Sequence, residues 1–168
     1  MSQLSLSIES SLLVRDVAGE YRPANADEVL QAAQRLLGAQ LRGREVLTSP
    51  QAVRDFLRVK LGALEHEVFA VLMLDAQNRL IEYVELFRGT VSQASVYPRE
   101  VVKESLALNA AAAIFCHNHP SGVAEPSRAD EVPTSTLKTA LSLVDVRALD
   151  HLIVAGNDVV SFAERGLL

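Results

Sequence analysis

The spacing of apolar residues along the chain predicts two helices in its first third. The first lies between Asn25 and Gly38, where Asn25 and Glu28 have the spacing of a reciprocal N-terminal cap. Its apolar positions follow the helical period: Val29, Leu30, Ala33, Leu36 and Leu37. Residues 1–24 alternate only weakly, so we expect a short strand or an arm with little core of its own.

A second helix is predicted to begin at Ser49 and Pro50, because serine caps a helix and proline suits its first turn. Its apolar stripe ends near Gly62 and consists of Val53, Phe56, Leu57 and Leu61. Beyond this helix the apolar residues no longer follow the helical period. The segments VFAVLMLD and RLIEYVELF are apolar runs separated by turn-forming residues, which predicts a hairpin with a buried first strand.

The second half of the chain predicts two further helices and three strands. Pro98 opens a helical segment, and AAAIFC, which begins at Ala111, predicts a short buried strand that ends next to His117. Ser127 can cap the helix that follows. LDHLIVAG and DVVSFA then predict a closing hairpin that turns at Gly156. The predicted core order is therefore helix, two strands, helix, strand, helix and two strands.

Composition and charge narrow the class of protein. The 168 residues suit one core domain, with or without an N-terminal extension, and 49% hydrophobic with 22% charged residues is typical of a soluble globular protein. A net charge of −5 gives no broad basic footprint, so nucleic-acid binding is not supported by charge, although a local basic patch stays open. A single cysteine, Cys116, and the lack of a leader or of about 20 consecutive apolar residues favour a cytoplasmic protein without a membrane anchor.

Candidate chemistry is concentrated in the segment HNHPSGVAEPSRAD, which begins at His117. Side chains alternate in an extended segment, so His117 and His119 turn to one side and Asn118 to the other. Ser127 as N-cap leaves Asp130 in the first helical turn, where its carboxylate can face back across the loop. Two imidazoles and one carboxylate can bind zinc and leave a fourth position open for a water that the metal would activate.

The competing interpretation is that both histidines only make hydrogen bonds in a loop and that the helix dipole favours Asp130. An HxH pair alone does not decide between these interpretations. The longer pattern does: HxH, seven residues and then SxxD is the motif of the JAMM (MPN-plus) metalloproteins. The segments HNHPSG, PSRAD, YPRE, ALNAAAAIF and LDHLIV resemble the bacterial RadC group within that superfamily. This resemblance runs from about residue 50 to the C-terminus.

The resemblance implies a JAMM/MPN, cytidine-deaminase-like α/β fold, with a mixed sheet flanked by helices in a single core domain. That domain would comprise residues 49–168, after an N-terminal extension of residues 1–48 with one helix. The resemblance also implies one Zn²⁺ per chain, bound by His117, His119 and Asp130. The first 48 residues show no clear helix-hairpin-helix segment of the kind found in many RadC proteins, so the chain resembles a short form of the group.

The resemblance further implies a glutamate that activates water and a serine that stabilises an oxyanion. Glu67, at the entry to the first strand of the hairpin, is the preferred glutamate, and Glu65, Glu82 and Glu85 are its alternatives. Ser127 occupies the position of the family's serine, and its simpler interpretation is that of an N-cap.

Four other residues carry more modest expectations. Asn118 should tie down the loop, and Cys116 should be a buried, unreactive thiol. His151 should make a hydrogen bond within the sheet, with a role at the metal centre as the minor alternative. Pro133 interrupts the helix predicted after Asp130, so we expect a kink or a restart there.

Three functions remain open on this basis. The intact ligand set favours a zinc metalloprotease or related hydrolase that cuts a peptide, isopeptide or other amide bond in an unknown protein or peptide substrate. The alternative is an accessory protein in DNA repair, recombination or mobile-element biology, which the acidic charge and the missing hairpin segment weaken. A protein-interaction role on the same fold is the third. The sequence predicts neither the substrate nor the oligomeric state.

Overall fold

The computed structural model describes residues 12–41, 50–89 and 96–168. In these ranges the elements, in chain order, are β1 (Leu13–Arg15), β2 (Tyr21–Pro23), α1 (Ala26–Leu41), α2 (Pro50–Leu61), β3 (Val68–Leu74), β4 (Leu80–Arg88), α3 (Pro98–Ala107), β5 (Ala112–Asn118), α4 (Arg128–Ser142), β6 (Arg147–Ala155) and β7 (Asp158–Ser161). The order from α2 to β7 is the predicted one. Among the described residues, no helix has both the length and the apolar character needed to cross a membrane.

The N-terminal elements are a small hairpin, formed by β1 and β2, and the capped helix α1. The reciprocal cap is confirmed: Glu28 N donates to Asn25 Oδ1 and Asn25 N donates to Glu28 Oε2, both at 2.9 Å. Arg22 donates to both carboxylate oxygens of Glu28 and, with the cap, lowers the pKa of Glu28 to about 2. The predicted end at Gly38 is wrong, because α1 continues to Leu41. A glycine weakens a helix without ending it when its φ stays negative.

The boundary predicted between residues 48 and 49, together with the cap at Ser49, lies outside the described residues and stays a prediction. The helices that precede and follow these residues, α1 and α2, pack against each other. The predicted arm at residues 1–24 is described only from residue 12, where the strands of the hairpin are mostly exposed.

Five strands form one mixed sheet in the order β4-β3-β5-β6-β7. β5 and β6 are parallel neighbours joined by α4, and the other neighbouring pairs are antiparallel. Every residue of β3 and β5 is buried, which explains why both segments are continuous apolar runs rather than alternating ones. The predicted α/β class, a mixed sheet flanked by helices in a single domain, is confirmed.

The two faces of the sheet bury separate apolar layers. On one face α2 contributes Leu57 and Leu61 to a cluster with Leu72 of β3. On the other face α4 contributes Leu137 to a cluster with Phe115 of β5. Full burial of a leucine or phenylalanine side chain stabilises a fold by about 1.5–3 kcal/mol. This packing holds the first turn of α4 against the end of β5, where the candidate site lies.

Of the two outcomes expected at Pro133, a kink or a restart, the restart is wrong and the kink stays a prediction. α4 is one helix with Pro133 in its interior. A proline removes one backbone donor, but Leu137 and Leu141 further along the helix are fully buried against the sheet. Packing of the helix therefore outweighs the loss of one hydrogen bond, and Asp130 keeps its place in the first turn.

Gly62, just after α2, provides a test of the helix-to-sheet packing. A Cβ at Gly62 would lie 2.6 Å from the carbonyl oxygens of both Arg58 and Gly156. We expect Gly62→Ala to lower the free energy of unfolding, measured by urea denaturation, by about 1–3 kcal/mol, because backbone atoms must move. Gly38→Ala is the matched control, since its Cβ would only touch Phe56 at 3.5 Å. The control should be neutral or slightly stabilising, and equal losses in both variants would contradict the prediction.

Candidate metal centre

The two histidines predicted as ligands lie at the end of β5. His117 is 2% exposed within the strand, and His119 follows the strand and is half-buried. His119 N donates to Val154 O at 2.8 Å, so pairing with β6 continues beyond the end of β5. The Nε2 atoms of His117 and His119 are 2.9 Å apart. The predicted separation is present, since the side chain of Asn118 contacts Leu64, His66 and Val68 rather than the two histidines.

Asp130 reaches the same point from the first turn of α4. Ser127 is the N-cap, and its backbone N and its Oγ donate to Asp130 Oδ2 at 2.8 and 2.6 Å. The other carboxylate oxygen, Oδ1, lies 3.1 Å from His117 Nε2. His119 Nε2 is 3.6 Å from Oδ2. The ligand atoms of the three residues all lie within 4.8 Å of one another, as one metal ion requires.

Electrostatics keep Asp130 ionised at this point. Its partial burial by itself would raise the pKa of Asp130, but the adjacent imidazoles of His117 and His119 and the hydrogen bonds from Ser127 outweigh that effect and hold the pKa well below its usual range. The adjacent carboxylate of Asp130 raises the pKa of His119, and the nearby charge of Glu67 adds to that shift. The site is therefore arranged around the negative charge of Asp130.

The donor set fits a cation. His119 Nδ1 lies 2.7 Å from Val123 O, and because a carbonyl only accepts, Nδ1 carries the proton and neutral His119 presents an unprotonated Nε2. His117 Nδ1 is hydrogen bonded to His151 Nε2 at 2.8 Å, so its Nε2 also faces the shared point. Two imidazole nitrogens and a carboxylate oxygen repel one another unless a proton or a cation lies among them. Nitrogen and oxygen ligands in this combination suit Zn²⁺.

Glu67 lies in the same cleft as His117 and Asp130. Its backbone is fixed, because Gly89 N donates to Glu67 O at 2.8 Å. Glu67 is half-buried, whereas its three predicted alternatives are exposed: Glu65, Glu82 and Glu85. One of those, Glu82, lines a different cavity, between α1, α2 and β4. The structure therefore brings Glu67, and not its rivals, to the candidate ligands.

Asn118 holds the segment that carries Glu67. Its buried amide Oδ1 accepts from Val68 N at 2.8 Å, and Nδ2 donates to His66 O at 3.0 Å. These two contacts flank Glu67 on both sides. The expectation that Asn118 ties down the loop is therefore wrong, because its side chain holds the segment before β3 instead. Backbone pairing between β5 and β3 ends at His117, while the backbone of Asn118 still pairs with β6. Beyond that point the side chain of Asn118, rather than its backbone, makes the hydrogen bonds to the β3 segment.

The remaining predicted residues have clear environments. Ser127 is exposed, and its hydroxyl donates to Asp130, so its role as an oxyanion donor stays a prediction. Cys116 is fully buried, as predicted, with Sγ 3.4 Å from Ala70 O, and burial raises the pKa of the thiol above its ordinary value.

His151 and Thr134 lie next to the candidate ligands. The sequence indicated a hydrogen bond for His151 without its partner, and it did not single out Thr134. The expected hydrogen bond of His151 within the sheet is present, and its partner is His117. Its second nitrogen, Nδ1, lies 2.6 Å from Thr134 Oγ1. Burial lowers the pKa of His151 well below its ordinary value. Three phenylalanines surround its ring, with centroids 4.8 to 5.8 Å away: Phe69, Phe115 and Phe162.

Comparison with known proteins agrees with this architecture. The RadC-like JAB domain model matches residues 47–167. A UPF0758 protein of Leptothrix cholodnii is 65% identical over 150 residues, which is 89% of this chain and 68% of the relative. A UPF0758 protein of Methylibium petroleiphilum is 60% identical over 167 residues, 95% of this chain and 75% of the relative. A third UPF0758 protein, from Nitrosomonas eutropha, is 57% identical over 150 residues, which is 89% of this chain and 67% of the relative. These names state no activity. The residues matched by the family model include the whole five-stranded sheet and the candidate ligands. The chain therefore belongs to the RadC-like JAB domain family.

Proposed function

We propose that this protein is a zinc-dependent hydrolase that cleaves a peptide, isopeptide or other amide bond in a protein or peptide substrate. The observation that carries the proposal is the convergence of three ligand atoms, from His117, His119 and Asp130, beside the carboxylate of Glu67 in one cleft. Membership of the JAB family supports the fold and the ligand set.

The three ligands would hold one Zn²⁺ per chain, through Nε2 of His117, Nε2 of His119 and the carboxylate of Asp130. When bound, zinc would supply Lewis acidity and lower the pKa of a water in its open position. The ligands are held in place by their own hydrogen bonds, from Ser127 to Asp130 and from His119 to Val123 O. Such preorganisation reduces the reorganisation that metal binding requires.

Glu67 would move the proton. Its carboxylate would accept a proton from the attacking water as the new C–O bond forms, and would donate it to the amide nitrogen as the C–N bond breaks. The products are then a carboxylic acid and an amine, with no other reactant needed. The contacts of Asn118 on both sides of Glu67 would keep this carboxylate within reach of the cleft.

The walls of the cleft would limit the access of other water. Apolar side chains line it next to Glu67 and the ligands: Phe69, Val96, Ala129 and Pro133. A dry surrounding strengthens the interactions between charged groups. Ser127 would serve mainly by orienting Asp130. A direct role at an oxyanion would require its hydroxyl proton to turn away from Asp130 Oδ2.

Metal content is the first prediction. Purified wild-type protein is expected to bind about one zinc per chain, because three protein ligands suit a catalytic zinc site. His119→Ala and Asp130→Ala should bind clearly less, as measured by elemental analysis after dialysis against zinc. His66→Ala is the control, since the His66 side chain contacts Arg88 rather than the cleft. A wild-type protein that takes up no zinc would remove the basis of the proposal.

The second prediction separates catalysis from metal binding. Glu67→Gln is expected to keep the zinc content of the wild type and to reduce hydrolysis by about 10²–10⁴-fold, because the amide cannot accept the proton of the water. Cleavage of a mixed panel of peptides and isopeptide-linked conjugates is followed by mass spectrometry. Glu65→Gln, an exposed neighbour, should retain turnover. If zinc-loaded wild type cleaves no member of the panel, or if Glu67→Gln is fully active, the hydrolase proposal fails.

The third prediction concerns Asn118. Asn118→Ala leaves a backbone N–H and a carbonyl near Glu67 without their present partner, which should lower the free energy of unfolding by about 1–3 kcal/mol. Turnover of the same substrate should fall, because Glu67 loses its restraint, while zinc content stays at the wild-type level. An equal loss of zinc and turnover would show instead that Asn118 supports the whole site.

A further inference from the structure

A buried chain of hydrogen bonds runs behind His117 and returns to the other end of the site. His117 Nδ1 lies 2.8 Å from His151 Nε2, and His151 Nδ1 lies 2.6 Å from Thr134 Oγ1. Thr134 Oγ1 lies 2.5 Å from the backbone oxygen of Asp130. His117, His151 and Thr134 are each 2% exposed. The chain therefore connects the side chain of one candidate ligand to the backbone of another, without access to bulk water.

The direction of these hydrogen bonds follows from the Asp130 end. A carbonyl oxygen has no proton, so at 2.5 Å the hydroxyl of Thr134 must donate to it. Thr134 Oγ1 then has only lone pairs to offer, and His151 Nδ1 must donate to it. His151 lies among aromatic rings and is neutral, so its Nε2 is an acceptor. His117 Nδ1 must therefore carry a proton, and a neutral His117 then has a free lone pair on Nε2.

The reverse direction is unfavourable at Thr134 and incompatible with a metal ion at His117. If Thr134 donated to His151, two oxygen atoms would face each other at 2.5 Å with no hydrogen between them. His151 would then donate to His117 Nδ1, and the proton of His117 would lie on Nε2. That proton would point at the shared ligand position and block it. Only the first direction leaves Nε2 of His117 free to bind a metal ion.

We propose that Thr134 and His151 are positioning residues that hold His117 in the tautomer with an unprotonated Nε2 and thereby increase the affinity of the site for zinc. His119 obtains the same tautomer from a backbone carbonyl, that of Val123. The inference rests on the metal site of the proposed function and is independent of whether an amide bond is the substrate. Thr134 lies one helical turn after Asp130, so α4 presents one ligand and orients another.

The test compares zinc affinities measured by competition with a chromophoric chelator. Thr134→Val should bind zinc about 10- to 100-fold more weakly than wild type, the usual effect of removing a group that orients a ligand. Thr134→Ser keeps the hydroxyl and should restore most of the affinity. Thr136→Val is the matched control, because Thr136 Oγ1 donates to Val132 O on the exposed side of the same helix.

Substitutions at His151 give a second comparison. His151→Leu should weaken zinc binding, because His117 Nδ1 loses its acceptor. His151→Gln offers an amide oxygen as a replacement acceptor and should lose less affinity than His151→Leu. Thermal unfolding of each zinc-free variant shows whether it is folded, and a folded Thr134→Val that binds zinc as tightly as Thr136→Val overturns the inference.

The tautomer itself is read from ¹⁵N-histidine spectra of the zinc-free wild type, which need neither a variant nor a substrate. We expect a proton on Nδ1 of His117, and a mixture of tautomers in Thr134→Val. A proton on Nε2 of His117 in the wild type overturns the inference even if every variant is unstable. A wild type with the expected tautomer that binds no zinc contradicts the proposed function but leaves the hydrogen-bond direction intact.

Discussion

The carboxylate of Asp130 joins the first turn of α4 to the end of β5, and the geometry of the site depends on this contact. One oxygen accepts from Ser127 and completes the helix cap, while the other faces His117. The helix N-terminus favours the same negative charge. A single side chain therefore both caps a helix and offers a candidate metal ligand. Because α4 is anchored on the sheet through Leu137, the ligand is held in place by the core rather than by the loop.

Local patterns were sufficient for much of the fold and for bringing the three candidate ligands together. Strand alternation placed His117 and His119 on one side, and the cap at Ser127 fixed the position of Asp130, because both relations span only a few residues. The order of elements followed from changes in apolar period. Glu67 could be chosen among four glutamates only through the resemblance to the JAMM family, since nothing in its immediate sequence distinguishes it.

Contacts that depend on tertiary structure could not be predicted in the same way. The bond between His117 and His151 exists because β5 and β6 are parallel, with Phe115 opposite His151, and no local pattern fixes that register. The target of Asn118 depends on where β3 and β5 diverge. The continuity of α4 through Pro133 depends on how much of the helix is buried. In each case packing between distant segments decided the outcome. The local sequence either favoured a different result or carried no information about it.

The parallel pair β5 and β6 with its connecting helix has an evolutionary consequence. All three candidate ligands and the hydrogen-bonded chain behind them belong to this continuous β-α-β unit, whereas Glu67 belongs to a separate hairpin that Asn118 joins to the unit. The proposed metal binding and the proposed turnover would therefore depend on different parts of the chain. A lineage could lose Glu67 by drift and keep an intact metal-binding scaffold, so inactive descendants of such a fold would arise by few mutations.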